Sequence, residues 1–154
     1  MRSTSTVIEV VLLALWLGAA IVVSAAVAPA AFAVLPTRTL AGALVGRVLP
    51  VIFYSGIAVG IAVNMLARPV LNRRVAAAVT AVSCAVAQFI ITPRIDRIRA
   101  EVGGVLENLA PDDARRAAFG RLHGISVAWL GLAMLAAAVA LFLAGRSLTT
   151  TGHD

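Results

Sequence analysis

Long apolar stretches alternate with short charged segments along this chain. Four stretches, roughly 7–28, 49–66, 75–91 and 125–143, hold most of the aliphatic residues, and nearly every charged residue lies between them. Each stretch approaches the ~20 apolar residues that an α-helix needs to cross the ~30 Å hydrocarbon layer of a bilayer. The pattern therefore predicts an all-α integral membrane four-helix bundle, a single transmembrane domain over residues 1–154 with these stretches as its spans.

The first stretch has a second interpretation, a cleaved signal peptide, because Arg2 precedes it and Ala31-Phe32-Ala33 resembles a cleavage site. The stretch is longer than the 7–15-residue apolar core of such a peptide, and Pro29 interrupts the approach to the site. We therefore expect it to be retained as a span. Residues 3–6 offer capping hydroxyls, which places Glu9 in the first helical turn, where negative charge is favoured.

Proline and glycine set the other predicted helix boundaries. We expect span one to end near Pro29, span two at Arg68-Pro69 and span three at Thr92-Pro93. Beyond span three, apolar residues recur at helical spacing and predict a short amphipathic extension that ends at Gly103-Gly104. The Pro111-Asp112-Asp113 segment is typical of a cap that restarts a helix leading into span four.

Composition excludes an ordinary soluble domain. The chain has 154 residues, 61% of them hydrophobic, and a mean hydropathy of +0.99; soluble domains are only about half apolar. All thirteen basic residues are arginine, and the net charge of +6 is spread along the span boundaries. This distribution fits contact with anionic lipid headgroups, and no nucleic-acid partner is expected, because no basic patch lies on a water-facing surface.

Four spans divide the charged segments between two sides of the membrane. The termini and the turn around residues 68–74 share one side, called here the terminal side, which carries five arginines. The segments 29–48 and 92–124 share the other, the arginine-rich side, which carries eight. We expect a multi-pass protein of a bacterial cytoplasmic membrane, and the positive-inside rule then favours the arginine-rich side in the cytoplasm and both termini outside.

Small and polar residues inside the spans suggest helix contacts. Gly56, Gly60 and Asn64 follow one face of span two, where small residues let helices approach closely. On span three, a polar stripe of Thr80, Cys84 and Gln88 has two interpretations. It either lines a polar path or ligand site, or it forms interhelical hydrogen bonds, with Asn64 as a partner.

A cluster of cationic residues is predicted on the arginine-rich side. Arg47 leads into span two, Arg94 leaves span three, and Arg121 and His123 lead into span four, with Gly120 and Gly124 flanking the last two. The functional interpretation is a pocket for a phosphate, a carboxylate or a lipid headgroup, with His123 as its titratable member. The alternative is a set of arginines that anchor span ends by reaching toward the interface.

Cofactor and catalytic chemistry find little support. One histidine near a span cannot supply the two axial ligands of a membrane haem, and Met65, Cys84 and Met134 show no ligand spacing for Cu(I). No paired carboxylates lie in a span, and no nucleophile–base arrangement or H-E-x-x-H motif is present. We expect no cofactor, no metal and no enzymatic activity.

Three segments together resemble the transmembrane-protein-205-like family of four-span membrane proteins. They are Gly46-Arg47-Val48-Leu49-Pro50 with Phe53-Tyr54, Thr92-Pro93-Arg94, and 119–126 (FGRLHGIS). The resemblance covers about residues 8–145 and implies a bundle without established enzymatic activity; an association of one eukaryotic member with platinum-drug resistance makes a transport-related role conceivable by analogy. The motif residues that match are Arg47, Pro50, Pro93, Arg94, Arg121, His123 and Gly124.

Two functional hypotheses remain open at this point. In the first, the chain binds an anionic ligand or lipid headgroup through Arg47, Arg94, Arg121 and His123, in a transport-related role and in a homo-oligomer. In the second, it is a structural or accessory subunit of a larger membrane complex, and the same residues hold the bundle or a partner. In both, the lipid bilayer is the first partner.

Overall fold

The described part of the chain is helical throughout. A computed structural model describes residues 2–67, 70–103 and 109–150, and these contain no strand. Predicted boundaries at Arg68-Pro69 and Gly104 lie outside them. The elements are α1 (Arg2–Val22), a π-helical segment π1 (Val23–Val27), α2 (Ala28–Val34), α3 (Arg38–Leu66), α4 (Leu71–Val86), a second π-helical segment π2 (Ala87–Ile91), α5 (Thr92–Glu101) and α6 (Ala114–Thr150).

Four helical stretches in this part are long and apolar enough to cross a membrane. They are Thr4–Val34, Arg38–Leu66, Leu71–Glu101 and Ala114–Leu148. The predicted all-α membrane bundle is thereby confirmed, and each predicted apolar stretch lies inside one of these helices. Both α1 and α4 pack against α3 and α6, so that α1 is diagonal to α4 across the bundle.

The prediction that Pro29 and Pro93 end their helices is wrong. Each proline lies in the first turn of a further helix, α2 or α5, directly after a π-helical segment. A proline within a continuous helix removes one backbone hydrogen bond, and a widened π turn relieves the clash of its ring with the preceding turn. In span three, the Thr92 hydroxyl also donates to the carbonyl of Ala87 at 3.0 Å. Local side-chain satisfaction of this kind lets helices continue through proline in a membrane.

An ion pair is buried between α1 and α4. The carboxylate of Glu9 lies 2.9 Å from Nη1 of Arg73, and the two side chains are only 2% and 8% exposed. The expectation that residues 3–6 precede the helix and place Glu9 in its first turn is wrong, because α1 begins at Arg2 and Glu9 lies in its second turn, where it is buried. An unpaired charge at this depth would be costly, so each residue depends on the other.

Small residues allow the helices to approach each other where predicted faces meet. A Cβ on Gly56 would lie 2.5 Å from Sγ of Cys84 and 2.8 Å from the Trp16 ring, and one on Gly60 would lie 2.7 Å from the carbonyl oxygen of Ala77. The indole N–H of Trp16 donates to the carbonyl of Ile52 at 3.0 Å. Gly56 thus leaves room for the Trp16 ring of α1, and Gly60 lets the backbones of α3 and α4 approach closely.

The polar residues of spans two and three bond mainly to backbone. The amide of Asn64 donates to the carbonyl of Arg74 at 2.9 Å and not to the polar stripe. The hydroxyl of Thr80 lies 3.1 Å from the carbonyl of Ala76 and 3.4 Å from that of Ala133 on α6. Gln88 reaches the Tyr54 hydroxyl at 3.5 Å. Thr80 therefore links α4 to α6, as the hydrogen-bonding interpretation of the stripe expects.

Asp113 begins α6. Its carboxylate accepts hydrogen bonds from the backbone N–H of Arg115 at 2.8 Å and from the Arg115 guanidinium at 2.7 Å. These bonds lower the pKa of Asp113 to about 2. The predicted cap thus lies at the last residue of Pro111-Asp112-Asp113, and it satisfies an N–H group that the helix itself leaves unpaired.

Acidification is expected to release this cap. Since the pKa of Asp113 is lower in the folded chain, the cap is complete above about pH 4 and is lost as the pH falls toward about 2. The NMR shift of the Arg115 amide proton in detergent should titrate with that low midpoint. Asp113→Asn keeps an acceptor oxygen and should show no such titration. A midpoint near pH 4 would contradict the bonded carboxylate.

Breaking the buried ion pair is expected to destabilise the bundle. Arg73→Met leaves the Glu9 carboxylate buried without a partner, which should cost about 3–5 kcal/mol in the free energy of unfolding. The double variant E9Q/R73M buries no charge and should be more stable than Arg73→Met alone. Unfolding in detergent, followed by circular dichroism, measures both. The single variant Glu9→Gln completes the cycle, and simple addition of its effect to that of Arg73→Met would contradict the pairing.

Candidate functional site

A cleft opens between the first span, α3 and α6, toward the arginine-rich side. Its volume is about 330 Å³, at the lower end of the range for small-molecule sites. The walls are almost entirely apolar. The lining residues are Val23, Ser24, Ala28, Pro29 and Phe32 from the first span, Val45, Leu49 and Phe53 from α3, and His123, Ser126, Val127 and Leu130 from α6.

The path of the first span creates this cleft. On the terminal side of π1, α1 packs against both α3 and α6. On the arginine-rich side of π1, α2 packs against α3. The contact of α2 with α3 is a small cluster of Ala31, Ala41 and Val45. This change of partner occurs at π1 and Pro29. The first span therefore covers α6 toward the terminal side but leaves the face with His123 and Val127 open.

Two polar side chains of α6 line the cleft. The hydroxyl-bearing Ser126 is 6% exposed, and His123 is exposed at the side nearer the membrane interface. The imidazole of His123 stacks on the Phe119 ring, with centroids 6.3 Å apart and planes 5° from parallel. Among the lining residues, His123 is the only one that is neither apolar nor a serine.

Arg99 of α5 lies beside the mouth of the cleft. Its guanidinium donates to the carbonyl of Gly42 at 3.2 Å and lies 5.5 Å from the centroid of the Phe119 ring. It is also 3.9 Å from the carboxylate of Asp96, and its side chain is 30% exposed. A Cβ on Gly46 would lie only 2.8 Å from Nη1, so the guanidinium occupies space that this glycine leaves free.

The order of contacts along α3 and α6 places Arg99 at the interfacial end of the cleft. Arg99 contacts Gly42 on α3 and Phe119 on α6. Both of these residues lie near the end of their helix on the arginine-rich side. The residues deepest in the cleft, Phe53 and Leu130, lie further along the same two helices. An apolar chain in the cleft would therefore have its head near His123.

The predicted cationic cluster is only partly assembled here. His123 lines the cleft, whereas Arg47, Arg94 and Arg121 are exposed and, within the described residues, show no hydrogen bond or ion pair. Arg47 lies two residues from both Val45 and Leu49, and two residues on a helix point to nearly opposite sides. Arg121 has the same relation to His123. The ligand-binding role of these arginines stays a prediction.

The remaining motif residues, two prolines and two glycines, lie within helices and do not line the cleft. Pro50 lies inside α3, and Pro93 lies in the first turn of α5. No described atom lies within 4 Å of the place that a Cβ would take on Gly120 or Gly124, so these glycines face open space. Gly120 and Gly124 therefore accept no neighbouring helix within the described part of the chain.

Arg99 was not among the predicted site residues, although the sequence carries a signal for it. It lies four residues after Ile95 and therefore falls on the apolar face of the amphipathic extension. A charged residue on such a face needs an internal partner. Gly42 and Gly46 on α3, also four residues apart, provide the space for it.

The described residues offer no cluster of three or more His, Cys, Asp or Glu side chains that could hold a metal ion. What the arrangement does provide is an apolar cleft at membrane depth with the imidazole of His123 at one end. Such a site can hold the apolar body of a molecule and orient a polar or anionic head at the interface.

One family model matches this chain. It covers residues 11–103, from the first span to the end of the amphipathic extension. No curated protein and no solved structure gave a match. The match does not link the chain to the transmembrane-protein-205-like family. Because the matched region is more than half of the chain, the chain belongs to the family described as a domain of unknown function, DUF4149.

Proposed function

We propose that this membrane protein binds a lipid-like amphiphile in the cleft and catalyses no reaction. The ligand places one apolar chain between the first span, α3 and α6, and an anionic head beside His123. The observation that supports this proposal is the combination of apolar walls with an imidazole at the interfacial end. A cleft of about 330 Å³ suits one acyl chain better than a complete phospholipid.

Arg47, Arg94 and Arg121 act outside the cleft in this proposal. They are exposed on helices that reach the arginine-rich side, where arginines attract anionic headgroups and raise the local concentration of acidic lipids. This side faces the cytoplasm in the proposed topology, because it carries the larger number of arginines.

A transport-related role extends the proposal. It is supported by the resemblance to the transmembrane-protein-205-like family, whose matching residues include Arg47, Arg94 and His123 on the same side as the cleft. This support is analogy, since one fold serves many functions. An accessory subunit that needs no ligand is the competing role, and the absence of any bound amphiphile would favour it.

Filling the cleft is expected to abolish binding. Leu49→Trp places an indole into the cleft from its α3 wall, whereas Val51→Trp adds the same side chain on a 65% exposed position of that helix. Native mass spectrometry of the full chain in detergent, with lysophosphatidylglycerol as the probe, should show one bound lipid. We expect Leu49→Trp to weaken this binding at least about tenfold and Val51→Trp to leave it unchanged.

The charge of the head is tested with the same protein. Lysophosphatidylcholine, which has no net charge, should bind more weakly than lysophosphatidylglycerol, and His123→Gln should reduce that preference. Failure of the unmodified chain to bind either lipid would overturn the proposed function. Equal binding by the two tryptophan variants would show that the lipid binds elsewhere on the apolar surface.

A further inference from the structure

Spans one and three carry the same features at the same spacing. Glu9 and Arg73 are 64 residues apart, and the same interval separates π1 from π2 and Pro29 from Pro93. Buried residues follow this register as well: Leu13, Trp16, Ala20 and Val23 correspond to Ala77, Thr80, Cys84 and Ala87. Buried positions at three- and four-residue spacing are common in packed helices, so the charge, the π segment and the proline are the distinguishing features.

Spans two and four correspond in the same way at a longer interval. The buried residues Phe53, Gly56, Gly60, Val63 and Ala67 of span two and its C-terminal turn match Leu130, Ala133, Ala137, Ala140 and Ala144 of α6, each 77 positions later. The difference between the two intervals falls in the connection after α5, which is longer than the turn between α2 and α3.

The helix arrangement agrees with two equivalent units. Unit one contains α1 to α3, and unit two contains α4 to α6. Since α1 and α4 both pack against α3 and α6, an approximate twofold axis parallel to the spans exchanges the units. The Glu9–Arg73 pair joins corresponding positions across this axis. Parallel repeats of this kind occur in membrane transporters, which place ligand sites between the repeats.

This symmetry relates the mouth of the cleft to a place in unit two. Phe119 and His123, which stack at the mouth, correspond to Gly42 and Gly46 on α3. Where α6 presents two rings, α3 presents two glycines, and the guanidinium of Arg99 fills the space beside them, within hydrogen-bonding distance of the Gly42 carbonyl. The corresponding groove would lie between π2 with α5, α6 and α3.

We propose that the cleft has a counterpart in unit two and that Arg99 keeps this second groove closed. The inference rests on the proposed function for its ligand, the same single-chain anionic amphiphile. Helix α5 contributes no buried residue, and the polar contacts of Arg99 are the bond to Gly42 and the longer approach to Asp96. Removing the side chain beyond Cβ therefore vacates the groove without taking away a core residue.

Counting bound lipids tests this proposal. Native mass spectrometry with lysophosphatidylglycerol should show one lipid on the unmodified chain and two on Arg99→Ala. Arg97→Ala is the matched control, because it removes an arginine of the same helix from an exposed position and should leave one lipid bound. Adding Gly46→Leu to Arg99→Ala refills the second groove and should return the count to one.

The outcomes separate this proposal from the proposed function. No lipid on the unmodified chain would overturn the proposed function, whereas one lipid on both the unmodified chain and Arg99→Ala would overturn the second groove alone. Ala28→Trp in the Arg99→Ala background should remove the first lipid and keep the second, because the first span lines only the first cleft. Loss of all binding in Arg99→Ala, with helical content retained or not, would show that Arg99 supports the cleft and would also overturn the second groove.

Discussion

The ion pair between Glu9 and Arg73 is the contact that relates the two halves of this bundle. It joins α1 to α4, helices that lie diagonally and share α3 and α6 as their main neighbours. In a hydrocarbon surrounding, apolar side chains gain little by meeting each other, so polar contacts and close packing of small residues decide which helices associate. A charge buried on α1 can be satisfied only by its partner on α4, and this requirement fixes the relative depth of the two spans.

The same constraint explains the prolines and the cleft. Backbone groups at membrane depth must be satisfied internally, so Pro29 and Pro93 are tolerated where π segments and the Thr92 hydroxyl accommodate them. In the first span, the change of path at π1 moves α2 onto α3 and leaves part of α6 uncovered. The cleft is therefore a consequence of how the helix continues through proline, and its apolar lining follows from the solvent in which it lies.

Hydropathy predicted the fold because four apolar runs leave few alternatives in a bilayer. It did not predict the ion pair, since Glu9 and Arg73 both lie near helix starts, where caps and interfacial anchors account for charges equally well. It also placed the cationic cluster too broadly. The prediction grouped Arg47, Arg94, Arg121 and His123 because all four lie on the same side of the membrane. The direction in which a side chain leaves its helix decides whether it faces inward, and of these four only His123 lines the cleft.

The two units have similar helices but different side chains at the mouth of the cleft, and this difference explains why the open cleft is found in one unit. Corresponding positions carry Phe119 and His123 on α6 and Gly42 and Gly46 on α3, and the glycines are compatible with Arg99 beside them because a side chain at position 46 would collide with the guanidinium. Unit one has Leu35 at the position corresponding to Arg99, and this residue packs against the cluster of Ala31 from α2 with Ala41 and Val45 from α3. An apolar residue there closes the contact between α2 and α3 and leaves the face of α6 open. The imidazole of His123 thus lines the open cleft. The guanidinium of Arg99 occupies the space beside Gly46, the residue that corresponds to His123.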